Sequence, residues 1–329
     1  MLRLLFWALL EHVSRAAKVA KPVLVLGERG TGKELVASRL HYLSDRWEQP
    51  LIKVNCAALT ESILESELFG HEAGAFTGAG SQHRGHFERA NGGTLILDEL
   101  GTTSLRMQEK ILRVIEYGEF ERVGGTTTLE VDVRTVGSTN VDLQSLTRSG
   151  RFRADLLDRL AFDVLTIPPL RERVEDILPL ANAFGLAMAA ELHYPYFSGF
   201  SARAASTLLQ HRWPGNVREL KNAVERSVYR LEDPESKITK IVFDPFDSPY
   251  RLASPQTNET QTRRESVGPA PIELPAQFKE EIHRHEKRLI NAALDKANFN
   301  QKLAADLLNL SYHQLRGAIK KHDIQTRSS

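Results

Sequence analysis

Gly27-Glu28-Arg29-Gly30-Thr31-Gly32-Lys33-Glu34 decides the fold, because this glycine-rich stretch separates two runs of different periodicity. The apolar run Val23–Leu26 before it is typical of a buried strand, while Leu35, Val36 and Leu40 after it recur on one side of a helix. A strand, glycine loop, lysine and helix in this order form a phosphate-binding loop. We expect its backbone N–H groups to cradle the phosphates of a nucleotide and its lysine to reach the β- and γ-phosphate oxygens.

Polar side chains end two further strand-like runs. Asp98 and Glu99 follow Gly92–Leu97, where Asp98 would hold Mg²⁺, directly or through water, and Glu99 would polarise the attacking water. An acidic pair after a strand is also a common helix N-cap, but its place behind a phosphate loop favours catalysis. Asn140 ends a third run that begins at Val131, and it would sense the γ-phosphate or orient water unless it serves turn chemistry. Ligands of open α/β sheets lie beyond the carboxyl ends of strands, so these sites should converge.

Six residues, Gly74-Ala75-Phe76-Thr77-Gly78-Ala79, have no evident task in such a fold. Glycines flank one aromatic and one hydroxyl side chain, a composition that suits neither a helix interior nor a strand. It favours a mobile loop that carries Phe76 and Thr77 outward to a partner surface, since an exposed Phe lowers solubility. The alternative is a tight turn that folds Phe76 back into the core.

With these motifs the chain resembles the bacterial enhancer-binding proteins, the AAA+ activators of sigma-54 RNA polymerase, from about residue 6 to residue 324. The hexapeptide that follows Glu67–Ala73 is the most specific element of the resemblance. Within the family the chain is most similar to the activators of phage shock genes. The resemblance implies an AAA+ ATPase with a parallel α/β sheet and a helical lid, with ATP and Mg²⁺ as cofactors. It also makes Glu34, after the lysine, a family feature.

The resemblance assigns roles to several of these residues. It implies that the hexapeptide contacts sigma-54 through its Phe and Thr side chains. It implies that Asn55 restrains Glu99 as a switch and that Asn140 reads the γ-phosphate. It also implies a second ring loop around Arg122–Gly125 that moves with the first.

Arginines are the next requirement, because phosphoryl transfer needs positive charge near the developing negative oxygens. Arg153 and Arg159 lie six residues apart in a helical pattern. The resemblance makes them arginine fingers that reach the nucleotide of a neighbouring subunit. Hydrolysis would then require a ring, expected to be a hexamer. Surface salt bridges to Asp155 and Asp158 are the alternative.

Changes in composition divide the chain into four parts. Residues 1–163 alternate strands and helices and should form the α/β ATPase subdomain, and residues 164–242 carry the helical patterns of a lid. A Trp-Pro-Gly-Asn turn in the lid precedes Arg218, which would reach back to the nucleotide as the matching family motif implies. Residues 243–275 contain six prolines and have the composition of a linker, and residues 276–329 regain helical periodicity.

The last part predicts a helix-turn-helix that binds double-stranded enhancer DNA. Its three helical patterns cover residues 286–297, 301–308 and 312–322. Leu303 and Leu307 share one face of the second helix, and Leu315 and Ile319 share one face of the third. The side chains left to face a duplex are Tyr312, His313, Gln314, Arg316, Lys320 and Lys321. The match resembles the Fis-type module of the family, while a helical hairpin with a solvated basic face is the alternative.

Charge and cysteine content agree with an intracellular DNA-binding protein. The whole chain carries a net charge of +1, but residues 276–329 hold ten Lys or Arg against six Asp or Glu. The single cysteine, Cys56, excludes a disulfide framework and fits the cytoplasm. The apolar run Leu2–Leu10 is too short to span a bilayer. We therefore expect a helix that packs on the ATPase core, and no membrane insertion.

The start of the chain departs from its family. Relatives carry roughly one more helix before this point, including a segment that helps to cover the adenine. Either adenine is held differently here or the true start lies upstream, and nucleotide affinity is the property affected.

Regulation is expected to come from a second protein, because no receiver domain precedes the ATPase sequence. Trp47 lies in the polar loop Ser44–Pro50, and tryptophan is enriched at binding hot spots. We interpret it as an anchor for a trans-acting repressor, which the family likeness implies is of the phage shock type. A tryptophan lying flat over the core is the alternative.

The sequence therefore predicts an enhancer-bound activator whose oligomeric ring uses ATP hydrolysis to convert the sigma-54 RNA polymerase closed complex into an open complex. One alternative is an AAA+ remodelling ATPase of another kind, which would lack the hexapeptide. The other is a DNA-binding regulator with a vestigial ATPase, against which the intact Lys33, Asp98, Glu99 and Asn140 argue.

Overall fold

The computed structural model describes three stretches of the chain: residues 2–246, 278–297 and 300–322. The chain divides into two compact units, Met1–Arg251 and Leu252–Ser329, and each is considered by itself. Most of the linker predicted at 243–275 lies outside the described residues, as does the end of the predicted module after residue 322.

The elements follow the alternation expected of an α/β domain that leads into helices. The strands are β1 (Val23–Leu26), β2 (Leu51–Asn55), β3 (Thr94–Asp98), β4 (Glu119–Glu121), β5 (Thr128–Glu130), β6 (Arg134–Thr139) and β7 (Asp163–Thr166). The helices are α1 (Leu2–Ala17), α2 (Lys33–Tyr42), α3 (Glu61–Phe69), α4 (His86–Arg89), α5 (Leu105–Tyr117), α6 (Leu143–Arg148), α7 (Ala154–Leu160), α8 (Ile177–Glu191), α9 (Ala202–Gln210), α10 (Asn216–Tyr229), α11 (Phe278–Lys296), α12 (Gln301–Leu307) and α13 (Tyr312–Lys321). Short 3-10 turns cover Leu100–Thr102, Leu170–Glu172 and Val174–Asp176.

A parallel sheet with strand order β2-β3-β6-β1-β7 forms the core of the first unit. Successive side chains of a strand point to opposite faces, and both faces are apolar here. Leu24 and Leu97 pack into one buried cluster, while Val25 and Ile96 pack into another on the other face. Helices cover both clusters, which confirms the predicted α/β architecture.

Two strand limits differ from the sequence prediction. β6 begins at Arg134 instead of Val131, because the Val131 N–H is bonded to Gly118 O at the base of the β4–β5 hairpin. That hairpin was not predicted. β7 crosses the boundary predicted after residue 163, since Asp163 already pairs with Val23 at the sheet edge. The sheet subdomain therefore runs through residue 166.

One apolar position of α2 is also placed differently from the prediction. Val36 and Leu40 are buried under the sheet as expected, but Leu35 is 77% exposed. The reason is helical geometry, because position 35 is turned about 100° from position 36 and faces away from the sheet. The prediction that Leu35 shares their face is wrong.

Helix α1 packs on the sheet, as the sequence predicts. Leu9 and Val13 are buried in the same cluster as Val23 and Leu165. Within the described residues, no helix combines the length and apolar character needed to cross a bilayer.

The lid consists of α8, α9 and α10 around Trp213. This side chain is fully buried, and its Nε1–H donates to Leu208 O at 2.9 Å, so its one polar group is satisfied. The predicted helical lid is confirmed.

The described residues of the second unit form three helices, α11, α12 and α13. Ser311 and Gln314 form a reciprocal capping box at the start of α13. Leu315 is buried and Ile319 packs beside it, as predicted. The prediction for α12 is wrong: Leu303 and Leu307 are 51% and 46% exposed. The buried positions of α12 are instead two alanines, 304 and 305, whose small side chains allow α12 to approach its neighbours closely.

A buried arginine joins two helix ends to the sheet. Arg134, at the start of β6, is only 2% exposed. Its guanidinium donates to Ala16 O at 2.7 Å, to Ala17 O at 2.9 Å and to Leu40 O at 3.2 Å. It thereby satisfies carbonyls at the C-terminal ends of α1 and α2, where positive charge is favoured.

We expect Arg134→Met to destabilise the first unit by about 3 kcal/mol, because it retains the aliphatic stem but leaves these buried carbonyls without a donor. Calorimetric melting of the nucleotide-free chain should show the first unit unfolding several degrees lower. Arg148→Met is the matched control, since that side chain is 74% exposed. Equal melting temperatures for the two variants would contradict the role of Arg134.

Candidate active site

The glycine loop after β1 presents a lysine to the nucleotide site. Gly30 and Gly32 adopt φ values of 76° and 97°, which favour glycine. Lys33 begins α2, and its Nζ donates to Gly27 O at 3.1 Å and to Glu28 O at 3.4 Å. These contacts fold the ammonium group back over the loop, where phosphates would bind.

Two other side chains of the loop point away from that position. Thr31 is buried and its Oγ1 donates to Glu28 O at 2.8 Å, which braces the turn. Glu34 is exposed and its carboxylate accepts from Lys53 Nζ at 2.9 Å. The Glu34 carboxylate is thus paired with a lysine of β2.

Asp98 is held at the carboxyl end of β3 by the neighbouring strand. Its Oδ1 accepts from Ser138 Oγ of β6 at 2.6 Å. Burial lowers the pKa of Lys33, and the charges of Glu99 and Asp98 oppose that shift. The lysine and both carboxylates therefore act on one another electrostatically, as convergence at this edge of the sheet requires.

The Glu99 carboxylate takes part in a hydrogen bond that the sequence did not predict. Glu99 adopts the left-handed conformation with φ 53°. In the amide orientation that satisfies both neighbours, Asn140 donates to Glu99 Oε2 at 2.8 Å and accepts from Arg29 Nε at 2.9 Å. Asn140 thus joins the carboxylate after β3 to the glycine loop after β1.

Asn55 lies at the same edge of the sheet. It is the last residue of β2 and is the register partner of Asp98. Its side chain is exposed, and Oδ1 accepts from Ala57 N at 2.9 Å. In this structure Glu99 is bonded by Asn140, so restraint of Glu99 by Asn55 stays a prediction.

A latch closes the lid onto the glycine loop, and it was missed by sequence reasoning. Buried Asn216 accepts from Leu170 N at 2.8 Å and donates to Glu28 Oε2 and to Arg29 O, both at 3.0 Å. Arg171 donates to both Glu28 oxygens, at 2.6 and 2.8 Å. The only sequence signal was the Trp-Pro-Gly-Asn turn, in which Asn216 needs a φ of 53° that asparagine tolerates.

The latch is insensitive to pH in the neutral range. Hydrogen bonds from Arg171, and then from Asn216, hold the pKa of Glu28 at about 2, against an ordinary value of 4.5. A lowered pKa means that the stabilisation by this carboxylate is complete above the ordinary pKa. It is lost only as the pH falls from about 4.5 toward 2.

Arg218 lies one helical turn into the lid helix α10 and is exposed. The lid backbone touches the loop here, because Val217 N donates to Gly30 O at 2.9 Å. A Cβ atom on Gly30 would lie 2.3 Å from Gly215 O, so only glycine permits this approach. The structure thus brings Arg218 close to Gly30 of the phosphate loop, and its contact with the nucleotide stays a prediction.

The hexapeptide, named the finger below, forms a closed turn. Gly74 N donates to Ala79 O at 2.7 Å, and Ala79 N donates to Phe76 O at 3.0 Å. Phe76 is nevertheless 49% exposed, with its ring against the His71 ring at 4.9 Å between centroids, and Thr77 is exposed. The finger combines the two alternatives, since it is a tight turn that keeps its aromatic side chain outside the core.

The second loop lies at the tip of the β4–β5 hairpin. It is bonded to residues 70–73, which precede the finger and are named its base. Arg122 pairs with Glu72 at 2.8 Å and with Glu88 at 2.6 Å. The Glu72 N–H donates to Val123 O at 3.0 Å. Side-chain hydrogen bonds from Arg122, and then from Gln82, hold the pKa of Glu72 below its ordinary value. The two loops therefore form one connected surface.

Gly124 gives this surface its close fit. It has a φ of 75°, and a Cβ atom there would lie 2.8 Å from the Ala75 Cβ of the finger. The second loop therefore touches the finger directly, as well as through its base.

The two candidate arginine fingers pair with acidic residues of their own chain. Arg153 contacts Asp155 at 2.7 Å and Glu109 at 3.8 Å. Arg159 is exposed and contacts Glu116 at 2.5 Å, not Asp158 as the alternative expected. None of these partners belongs to the glycine loop or to the strand ends that carry Asp98 and Asn140.

Trp47 and Cys56 have opposite environments. Trp47 is 57% exposed at the surface of the first unit. Cys56 is buried, and burial raises the pKa of its thiol to about 12, which suits packing rather than reactivity.

The predicted DNA-facing side chains lie on one helix, α13, and are mostly exposed. His313, Arg316 and Lys320 are exposed. Gln314 is exposed, and its Oε1 accepts from Ser311 N in the capping box, while Tyr312 is half-buried. Lys321 Nζ is paired with Glu286 at 2.9 Å.

These features define a class of protein: an AAA+ nucleoside triphosphatase followed by a helix-turn-helix module. Comparison with protein families supports this class for each of three successive parts of the chain. Residues 5–166 match the sigma-54 interaction domain, residues 171–247 the AAA+ ATPase lid domain, and residues 282–322 the Fis family of bacterial regulatory proteins.

Similar proteins match almost the whole chain. The Psp operon transcriptional activator of Escherichia coli K12 is 54% identical over 319 residues, which cover 97% of this chain and 96% of that protein. Regulatory protein AtoC of the same organism is 43% identical, over 96% of this chain and 66% of that protein. The crystal structure of NtrX from Brucella abortus matches 97% of this chain and 68% of its own, with a TM-score of 0.68 and 30% identity. NtrX in complex with ATP matches with a TM-score of 0.66 and 31% identity.

The chain belongs to the sigma-54-dependent transcriptional activators. It is an AAA+ ATPase, with sigma-54 RNA polymerase and DNA as partners. The predicted family, fold class and enzyme class are confirmed.

The latch gives a direct prediction for nucleotide binding. Asn216→Asp keeps the acceptor for Leu170 N and tolerates the left-handed backbone, but it removes both donated bonds and places a second carboxylate beside Glu28. We expect affinity for a fluorescent ATP analogue to fall about tenfold, which corresponds to about 1.4 kcal/mol. Asn182→Asp, on the exposed side of α8, is the control and should bind as the wild type does. Equal affinities for both variants would refute the latch.

Proposed function

We propose that this activator is tethered to DNA upstream of phage shock promoters, assembles into a hexameric ring and uses ATP hydrolysis to move its finger. The moving finger converts the closed complex of sigma-54 RNA polymerase into an open complex. The exposed finger, bonded to a second loop and carried at one end of α3, is the observation that carries the proposal. The 54% identity to the E. coli Psp operon activator supports phage shock genes as the targets.

Hydrolysis is assigned to the residues that converge above the sheet. Glu99 takes a proton from the water while the water oxygen attacks the γ-phosphorus. The bond between the γ-phosphorus and the bridging β-phosphate oxygen breaks, which releases ADP and phosphate. Lys33 neutralises charge on the β- and γ-phosphate oxygens. The Glu99 contact with Asn140 keeps the carboxylate beside the glycine loop, where the γ-phosphate is read.

Asp98 fits the role of a magnesium ligand. Ser138 occupies Oδ1, and among the described residues no donor is bonded to Oδ2. A carboxylate oxygen is a ligand that Mg²⁺ prefers, and when bound the ion neutralises phosphate charge. Ser138 fixes the orientation of the carboxylate without consuming its second oxygen.

A chain of contacts joins the catalytic carboxylates to the finger. Glu99 leads into the 3-10 turn Leu100–Thr102, and Ser104 just beyond it donates to Glu61 at the start of α3. The helix ends at Phe69, directly before the base of the finger. A change at the γ-phosphate would therefore reach the finger through a rigid helix, in the manner of a switch segment. Asn55 would hold the Glu99 side chain in one nucleotide state, and Asn140 would hold it in the other.

Ring assembly would complete the site. Arg153 and Arg159 lie at the surface, where acidic residues of the same chain hold them as ion pairs of low stability. A neighbouring triphosphate would compete for the guanidinium groups more strongly than these solvated carboxylates do. Hydrolysis is then coupled to assembly, and DNA tethering raises the local concentration that assembly needs. Because both partners, DNA and polymerase, are cytoplasmic in bacteria, the protein is expected to act there.

The test is a reconstituted transcription assay with sigma-54 holoenzyme and hydrolysable ATP. We expect Thr77→Ala to retain ATPase activity but to reduce open-complex formation at least tenfold, because the finger loses its hydroxyl while the catalytic residues are untouched. Ser81→Ala, an exposed hydroxyl two residues beyond the finger, is the control and should support open complexes. Full open-complex formation by Thr77→Ala would contradict the proposal.

Exposed Trp47 is proposed as the anchor for a repressor of the phage shock type. A large aromatic side chain held at the surface gives a partner a desolvated contact worth about 2 kcal/mol or more. We expect Trp47→Ala to keep basal ATPase activity and to lose inhibition by the repressor, measured as ATP turnover against repressor concentration. Tyr42→Ala is the control, since that side chain is 62% exposed and lies near the same loop. Inhibition of both variants at the same repressor concentration would refute the assignment.

A further inference from the structure

Three potential metal ligands converge in the C-terminal module, two on α11 and one just after α13. His283 and Glu286 lie three positions apart on α11, so they share one face of that helix. His322 follows the end of α13. One ligand atom from each side chain lies within 4.8 Å of the other two. The arrangement thus joins the first helix of the module to the end of the third.

His322 is the buried member, and one of its nitrogens is unsatisfied. Its side chain is 1% exposed, and Nε2 lies 2.8 Å from Glu286 Oε2. Nδ1 is buried and bonded to nothing in the described part of the chain. When Nε2–H donates to the carboxylate, Nδ1 carries the ring's lone pair. Nε2 is the nitrogen that faces Glu286, and in the tautomer that protonates Nδ1 it carries the lone pair that a metal ligand needs.

His283 supplies the third ligand from the solvent side. Its ring lies 4.1 Å from the His322 ring between centroids, and its side chain is exposed. Ligands about 2.1 Å from a shared ion are at most about 4.2 Å apart, so a small rotation of the exposed ring closes the remaining gap.

We propose that His283, Glu286 and His322 bind a borderline transition-metal ion of the Zn²⁺ type. Two imidazoles and one carboxylate match the nitrogen and oxygen preference of Zn²⁺, whereas Mg²⁺ and Ca²⁺ require oxygen ligands. The carboxylate is placed for this role, because its Oε2 already lies 2.8 Å from His322 Nε2. The ion would replace Lys321, whose Nζ lies 2.9 Å from Oε2.

The bound ion would tie α11 to α13 and would fix the helix that carries the DNA-facing side chains. It would also release Lys321 from its pairing with Glu286 toward solvent. Metal binding to the folded module alone stabilises it by mass action. The inference concerns the stability of the module and does not depend on the ATPase cycle.

The experiment uses the full chain after removal of metal with a chelator. Calorimetric titration with ZnCl₂ should show one site per chain that weakens at least about tenfold in His283→Ala, because even the loss of a supporting residue costs that much. Co²⁺ should give a visible absorption band in the wild type and not in this variant. His285→Ala removes an exposed histidine two positions away on the same helix, and it should titrate as the wild type does.

Zn²⁺ should also raise the unfolding temperature of the C-terminal module in the wild type and in His285→Ala, but not in His283→Ala. Circular dichroism without metal checks that both variants fold, and exposed His283 was chosen over buried His322 for that reason. Equal Zn²⁺ affinity in both variants would overturn the proposal. So would a wild-type chain that shows neither the Co²⁺ band nor the shift in unfolding temperature.

Discussion

The parallel pairing of β3 with β6 is the constraint on which the site depends. Leu97 pairs with Gly137 in this register, which places the two strand ends side by side. Ser138 can then hold Asp98, and Asn140 can reach Glu99. A slip of one residue would turn every side chain of the strand to the other face of the sheet, and both contacts would be lost. The buried apolar residues of both strands prevent that slip, so the stability of the core and the geometry of catalysis have one cause.

Nucleotide binding and remodelling are handled by separate contacts around this pairing. Glu28 and Asn216 join the lid to the glycine loop, whereas α3 joins the strand ends to the finger. Glu99 connects the two sets of contacts, because Asn140 joins it to the glycine loop and the 3-10 turn that follows it leads toward α3. The backbone of Glu99 is left-handed, its carbonyl accepts from Thr102 N, and its carboxylate accepts from Asn140. A residue in such a strained conformation responds when a neighbour is displaced. Under the proposed function, Glu99 would pass the presence or absence of one phosphate group to the finger through α3.

Motifs with their own local chemistry could be predicted from the sequence, and contacts between distant segments could not. The glycine loop, the carboxylates after β3 and the start of α13 at residue 312 are local, because a strand, a turn or a helix start specifies each of them. The latch between Glu28 and Asn216 joins residues 188 positions apart, and nothing in either segment indicates the other. The exposure of Leu303 was missed for a related reason, since the face of α12 that is buried depends on how closely its neighbours approach.

The most direct test of the account is hydrogen exchange in the assembled ring, compared between an ATP analogue and ADP. The amides of Gly74 and Ala79 are bonded within the finger, so their protection reports whether that turn stays closed and seated on its base. We expect their exchange to change between the two nucleotide states together with that of the amides of the glycine loop. Identical finger protection in both states, with a clear change in the glycine loop, would contradict the coupling of phosphate cleavage to finger movement.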